Sequence, residues 1–368
     1  MKEKIGIGII GTGFARRTQT PAFLECEGVS IASVASGKLE NAKAAAAEFA
    51  IGHWTGDWRE TVSHTDVDLV CITTPPNLHR EMALFAIEEG KHVLCEKPMA
   101  MSVAEAEEMT AAAAGKPLLA LIDHELRFQP GRQLAYKMIR DGAIGAIRHA
   151  KAFFQAPQRG DPKLAWNWWS DAASGGGALG AINSHIIDSF NWMLGTQISS
   201  VFCQLQTHIK RRQDSDNNVR PVTTDDEANM LLHFTDSDLT HDATGLVSVS
   251  MAEYPKYQNR VEFYGTDGAI RIDHRGELFI AKPGEDDWNE IEVELGQNIS
   301  GLIDSGFARG FLFFAPKIVD AVSSGHTAIE HAATFADGLE VQRILDAARE
   351  SDRTGCRVTV IRTRDPCE

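Results

Sequence analysis

"KIGIGIIGTGFARR", residues 4–17, joins a strand-like run to a helix-prone one through two glycines. Residues 4–11 read as a strand and "FARRTQTPAFLE", 14–25, as a helix, so Gly11 and Gly13 fall between the end of one and the mouth of the other. In that context the motif G-x-G-x-x-G points to dinucleotide binding. The glycines permit a tight turn and close backbone approach to pyrophosphate, which then sits on the helix N-terminus. Gly11, Thr12, Gly13, Phe14 and Ala15 are therefore candidate cofactor contacts. The third glycine is absent. Arg16 stands there, so either Ala15 supplies the helix–strand contact or that packing differs. The plain alternative is a glycine turn that holds no ligand.

The segments downstream keep the same rhythm. Residues 29–35, 68–74, 92–96 and 117–122 read as β-rich strands, while 39–50, 80–90 and 103–115 carry helical composition or spacing. "DLVCITT" is the near-continuous apolar run of a strand covered on both faces. Alternation of this kind predicts a doubly wound parallel sheet, a Rossmann domain over residues 1–122. After Asp123 the pattern changes: a helix at 129–141, a strand at 147–155, a tryptophan-rich stretch, and a helical segment opened by glycines 175–177. Strands then follow one another from 198 to 295, and helices near 303–323 and 327–350 close the chain. Residues 123–368 are thus expected to form an α+β domain on a largely antiparallel open sheet.

Composition narrows the function. With 368 residues the chain has room for two cores. Its net charge of −15 argues against nucleic-acid or anionic-membrane binding, because both need clustered positive charge. No run approaches the ~20 apolar residues of a membrane span. The six cysteines, Cys26, Cys71, Cys95, Cys203, Cys356 and Cys367, form no C-x-x-C pair, so no metal site or disulfide framework is expected and a cytoplasmic setting suits them.

The end of the second strand bears on the cofactor's ribose. An acidic residue there accepts the 2′-OH of NAD, whereas a basic environment accommodates the 2′-phosphate of NADP. Here the chain reads "VASGK": Ser36 and Gly37 carry no carboxylate, Lys38 offers a cation, and Arg16 or Arg17 offers another. NADP is favoured, with NAD as the alternative if Lys38 merely starts a solvated helix.

"TTPPNLH" (73–79) and "CEKP" (95–98) close successive strands. Ligands of open α/β sheets bind outside the carboxyl ends of the strands, which makes Thr74, Pro75, Asn77, His79, Glu96 and Lys97 candidates for the nicotinamide end. Lys97 is placed to meet a substrate oxygen; the plain alternative is an ordinary surface lysine. Further on, "SGGGALGAINSHIIDSFNWMLG" (174–195) sets His185 and Asp188 at i, i+3 on one helical face. A histidine exchanges a hydroxyl proton near neutral pH. Its alternatives are a surface pair with Asp188 and a metal site, which lacks further ligands.

"GIIGTGFA", "TTPPNLHREMALFAIEEGKHVLCEKPMA" and "GGGALGAINSHIID" together resemble the glucose-fructose oxidoreductase / inositol dehydrogenase (Gfo/Idh/MocA) family. The resemblance runs from the first strand to the terminal helices. It implies NAD(P)-dependent oxidation or reduction of sugars and polyols. It also implies a second-domain sheet used for oligomer contacts, hence a homo-oligomer, dimer or tetramer. Lys97 matches the family's catalytic lysine, with a cis peptide to Pro98, and His185 its catalytic histidine. Many members carry Asp four residues before that histidine, where this chain has Ala181, so either Asp188 supports His185 from the other side, or the proton relay is simpler, or the chemistry differs. Asn183 stands where a related pattern has glycine and joins the substrate-facing candidates.

Two further residues complete that set. Trp169, in "WNWWSD" (166–171), is placed to stack on a sugar, against the commoner role of core packing. Arg127, in "DHELRFQP", can bind an anionic substrate group or form a structural salt bridge. Relatives of this fold also include glycosidases that oxidise transiently with bound NAD, and dinucleotide-sensing regulators; both stand as alternatives to a dehydrogenase.

Overall fold

A computed structural model describes residues 4–297 and 299–362; Cys367 lies outside them. The chain forms two compact units: one runs to Gln129 and takes in Leu295–Leu339, the other is Pro130–Glu294 with the chain from Glu340 onward.

In the first unit β1 (Ile5–Ile10) is buried along its whole length. Ile5, Ile7 and Ile9 face one core and Ile10 another. Gly6 makes the second face possible, because a Cβ there would lie 1.6 Å from the Asp66 carbonyl oxygen. Beside β1 run β2 (Val29–Ala35), β3 (His53–Thr55), β4 (Leu69–Ile72), β5 (His92–Cys95) and β6 (Ala120–Ile122). Among the described residues they form a six-stranded sheet in the order β3-β2-β1-β4-β5-β6, every pairing parallel. The helices between strands are α1 (Phe14–Arg17), α2 (Gln19–Leu24), α3 (Leu39–Phe49), α4 (Trp58–Val62), α5 (His79–Glu88) and α6 (Val103–Ala113). The single helix expected over 14–25 is broken at Thr18, whose φ of −136° is not helical. The short β3 and α4 fill a stretch whose sequence carries no clear period.

The second unit begins with α7 (Pro130–Arg140), β7 (Ile147–Gln155), α8 (Ser184–Leu194) and β8 (Ile198–Gln206). A small ribbon of β9 (Arg211–Gln213) and β10 (Val219–Pro221) follows, then β11 (Glu227–Phe234), β12 (Thr240–Ser250), β13 (Gln258–Gly265), β14 (Ala269–Ile272), β15 (Leu278–Ala281) and β16 (Asn289–Ile291). With β17 (Val358–Thr359) the main sheet runs β16-β15-β14-β13-β7-β12-β11-β8-β17. It is antiparallel except for β12 on β7. Tyr136 of α7 stacks on Trp192 of α8 at 4.7 Å, and Phe190 meets Phe234 and Phe263 edge-on across the buried face of the sheet.

The terminal helices depart from the sequence division at 122/123. Residues of α9 (Gly306–Ser324) belong to the first unit. Phe311 meets Phe23 edge-on at 5.2 Å and Phe314 stacks on Phe128 at 4.1 Å, and these aromatic contacts outweigh proximity in sequence. The last helix, α10 (Phe335–Thr354), begins eight residues after the expected 327. The intervening chain instead lies along β6, with Ile122 N–H donating to the Ala333 carbonyl at 2.9 Å.

Phe314 is wholly buried. Phe314→Ala should destabilise the first unit by about 3–5 kcal/mol, seen as an earlier transition in urea; an unmoved transition would show that α9 does not carry this core.

Candidate functional site

In the first unit the candidate residues gather at the carboxyl ends of β1, β2, β4 and β5. Gly11 leaves β1 with φ +98°, and a Cβ there would lie 2.5 Å from the Thr73 carbonyl oxygen. Only glycine fits that turn. Thr73 locks it, its hydroxyl donating to the carbonyls of Ile10 and Gly11, each at 3.0 Å. Above Gly13 and Gly37, by contrast, an added Cβ would meet nothing within 4 Å. A closed turn below and open ground above is the cradle a pyrophosphate requires, so the residues fit a dinucleotide. Thr12 and Phe14 are partly exposed around it, and Ala15 is fully buried in the core. Ala15 thus makes the helix–strand contact that the missing glycine would have made.

At the end of β2, Ser36 is half-buried while Gly37 and Lys38 are exposed. Arg16 is not a spare cation: it is ion-paired with Glu48 of α3.

The next two strand ends are tied together by His79. This residue is fully buried, with Nε2 2.9 Å from the Thr74 carbonyl oxygen and Nδ1 3.0 Å from that of Pro98. Burial draws its pKa below the usual imidazole range, against the opposing pull of those carbonyls. His79 therefore sits between the two loops, its single neutral-ring N–H donating to one of these carbonyls. Thr74 and Pro75 are half-buried and Asn77 is exposed. Lys97 is half-buried, and its peptide bond to Pro98 is cis. Glu96, only 8% exposed, points its carboxyl toward Gln19 Nε2, 3.2 Å away.

Arg127 is engaged within the first unit. Its side chain, 5% exposed, donates to Asp337 at 3.1 Å and to the His331 carbonyl at 3.3 Å, the structural salt bridge of the two readings.

In the second unit His185, Asp188 and Asn183 are all buried. Asn183 ends a π-helical turn, Leu179–Asn183, that runs into α8. Such turns are uncommon and frequent at functional sites. Both polar atoms of the Asn183 side chain are buried without a hydrogen-bond partner among the described residues. Farther along, Ser189 donates to the His185 carbonyl at 2.7 Å and accepts from the buried Arg132 at 3.0 Å, fixing the first turns of α8 to α7. Trp169 is half-exposed, with the Arg159 guanidinium 4.9 Å from its ring centre.

The sequence reading missed Asp225, which anchors the start of this segment. Its Oδ2 accepts from Leu179 N–H at 2.6 Å, and a Cβ on Gly177 (φ +109°) would lie 2.4 Å from its Oδ1. The glycine run is therefore shaped around a carboxylate of the same unit. Nothing in "TTDDEANM" marks which acid makes that contact. Among the described residues no three His, Cys, Asp or Glu side chains could hold a metal ion, and no helix is long and apolar enough to cross a membrane.

A glycine cradle at the switch point of a parallel sheet, with a lysine at the next strand ends, defines a dinucleotide-binding protein of the Rossmann class. Comparison with known proteins narrows the class. The model of the oxidoreductase family's NAD-binding Rossmann fold matches residues 5–124, and that of the GFO/IDH/MocA C-terminal domain matches residues 133–271. An uncharacterised oxidoreductase of Synechocystis is 31% identical over 72% of this chain and 70% of its own. Levoglucosan dehydrogenase of Pseudarthrobacter phenanthrenivorans is 28% identical over 95% of this chain and 96% of its own. Among solved structures, an oxidoreductase domain protein from Kribbella flavida is 30% identical and superposes with TM-score 0.86, covering 98% of this chain and 100% of that one. Levoglucosan dehydrogenase bound to NADH and levoglucosan is 27% identical, with TM-score 0.86 and the same coverage. The chain belongs to the Gfo/Idh/MocA family and is an NAD-binding oxidoreductase.

Burial pushes Asp225 up to about 6, with the amide of Leu179 pulling the other way. Between the ordinary carboxylate value of about 3.9 and that raised value, the folded chain keeps a proton that the unfolded chain has released. The group's contribution to stability therefore falls as pH rises through this window and stays lost above it. Asp225→Asn keeps an acceptor for Leu179 N–H and removes the titration. Its stability relative to the unsubstituted protein should rise from about pH 4 to pH 6 in urea melts; a difference independent of pH would contradict this assignment.

Proposed function

We propose that the protein is a dehydrogenase or reductase acting on a sugar, sugar derivative or cyclic polyol, with NADP preferred over NAD. The observation that carries this reading is Lys97, half-buried at the end of β5 on the same sheet edge as the Gly11–Ala15 cradle. When bound, the nicotinamide supplies the hydride acceptor or donor for a carbinol or carbonyl carbon. The backbone of Gly11, Thr12, Gly13, Phe14 and Ala15 holds the pyrophosphate, Ser36, Gly37 and Lys38 the adenosine ribose, and Thr74, Pro75, Asn77 and Glu96 the nicotinamide end. His79 takes part through the loops it joins. Lys97 polarises the reacting oxygen, His185 exchanges its proton, and Asp188, one turn on, orients the imidazole. Asn183 and Trp169 meet the hydroxyls and the ring face of the substrate.

Support for a sugar comes from levoglucosan dehydrogenase, whose structures hold levoglucosan or L-sorbose beside NADH. Support for NADP comes from this chain's own residues. The end of β2 carries no carboxylate to repel a 2′-phosphate, and Lys38 stands exposed at the start of α3. With Arg16 paired to Glu48, the remaining cations are Lys38 and Arg17.

We assign cofactor binding to the first unit and substrate binding and self-association to the second. On the open sheet face, Phe202, Leu231 and Leu246 stand side by side across β8, β11 and β12, with Phe202 and Leu231 38% and 55% exposed. A second copy of the chain, in a dimer or tetramer, covers that row, and sedimentation velocity reads it. The free cysteines, Cys71, Cys95 and Cys203 buried among them, suit a reducing cytoplasm.

The test is a pair of titrations, NADPH against NADH, then a sugar and polyol panel read at the nicotinamide absorbance. NADPH should bind more tightly, and Lys97→Ala should keep cofactor affinity within about threefold while losing 10²-fold or more in kcat, roughly the worth of a positioned acid–base group. Binding without turnover on every substrate, unchanged in Lys97→Ala, would point instead to a sensor or a redox glycosidase.

A further inference from the structure

Glu96 and Asp123 leave neighbouring parallel strands at the same level. Cys95 and Ile122 are register partners at the ends of β5 and β6, and Asp123 N–H donates to the Cys95 carbonyl at 2.8 Å. Their carboxyls converge on one amide: Gln19 Nε2 is 3.2 Å from Glu96 Oε1 and 2.7 Å from Asp123 Oδ2. One amide nitrogen thus sets two buried carboxyl groups side by side. Gln19 and Asp123 are wholly buried and Glu96 is 8% exposed.

Two carboxylate charges gathered on one amide in a buried place do not both ionise. The pair therefore carries one proton and one negative charge. Every ionisable group around it agrees. Burial pushes Asp123 well above the carboxylate range, and the charges of Glu125 and Glu96 push it further. Burial raises Glu96 as well, with Lys97 pulling the other way. The thiols of Cys71 and Cys95, fully buried on β4 and β5, are raised by burial and stay neutral.

Packing does not account for this arrangement. Asp123 Oδ1 and Gln19 Oε1 are buried without a hydrogen-bond partner among the described residues, and an apolar pair would fill the same space at lower desolvation cost. What the acids adjoin is Lys97, whose backbone N–H lies 3.4 Å from Glu96 Oε2.

We propose that Asp123 is a positioning residue for Lys97: it shares one proton with Glu96, and the singly charged pair, clamped by Gln19, is the counter-ion that holds the lysine for its task. This rests on the reading of Lys97 as the group that meets the reacting oxygen. As pH rises, loss of the shared proton places a second negative charge beside Lys97, draws its ammonium inward and slows turnover. The pair thus sets the alkaline limb of the rate.

Asp123→Asn tests this, since its amide has no proton to lose. Infrared spectra of the whole protein at neutral pH should contain a protonated-carboxyl stretch that vanishes in Asp123→Asn. In the unsubstituted protein, labelling aspartate with ¹³C at its carboxyl carbon should shift the same band, so the readout survives if the variant folds poorly. On the active substrate, Asp123→Asn should move the alkaline limb of kcat upward by about one pH unit or more, the scale of a like-charge interaction. Absence of the band, or coincident limbs in the two proteins, would overturn the proposal. Undiminished turnover in Lys97→Ala would instead overturn the role of Lys97, and the infrared band would still report on the pair.

Discussion

One buried imidazole holds the first unit's chemistry in place. His79 lies between the carbonyl oxygens of Thr74 and Pro98, and so joins the loop that follows β4 to the loop that follows β5. Those loops carry Thr74, Pro75, Asn77 and Lys97, the residues we propose for the nicotinamide end and the substrate. Both emerge from strands whose register is set by paired apolar residues, Ile72 against Cys95. A parallel sheet fixes where its strands end; it does not fix the side chains beyond. We propose that the acid pair of Glu96 and Asp123 supplies that second constraint for Lys97. A charged group placed in this way needs no rearrangement as charge develops on a reacting oxygen.

The two units solve different problems. The first is a sheet buried on both faces, and its sequence shows continuous apolar strands with glycine where another segment crosses close by. The second presents one face of a mixed sheet to helices and leaves the other open, and its strands alternate accordingly: in β11, Ala228, Met230 and Leu232 are buried while Leu231 is exposed. The π-helical turn that leads into the helix of His185 is anchored at its start by Asp225, and the helix itself along its side by Arg132 through Ser189. A side chain set on a rigid helix keeps its geometry better than one on a loop, which suits the role we propose for His185.

Much of this was legible before any coordinates. Gly11 and Gly13 announced the cradle because a strand precedes them and a helix follows, and the alternation of elements to residue 122 followed from spacing and composition. Lys97 and His185 stood out because their neighbours break the local pattern: charge and proline at a strand end, glycines before a helix. What stayed hidden depends on contacts between residues distant in sequence. Phe314 reveals its unit only once Phe128 is folded against it. Arg127 looks like an anion ligand until Asp337, 210 positions away, takes its guanidinium. Arg16 reads as a spare cation until Glu48 is seen beside it. Asp123 seemed only to mark a boundary, although its place at the carboxyl end of a parallel strand is where such sheets keep their functional groups.

The most direct test of the chemistry is a single-turnover experiment. Enzyme loaded with oxidised cofactor is mixed with a sugar or polyol carrying deuterium on its carbinol carbons, and the nicotinamide absorbance is followed. Slower cofactor reduction with the deuterated substrate than with the unlabelled one is expected, a primary isotope effect that places C–H cleavage at the nicotinamide. Cofactor that binds and is never reduced, across the panel and in both directions, would contradict it.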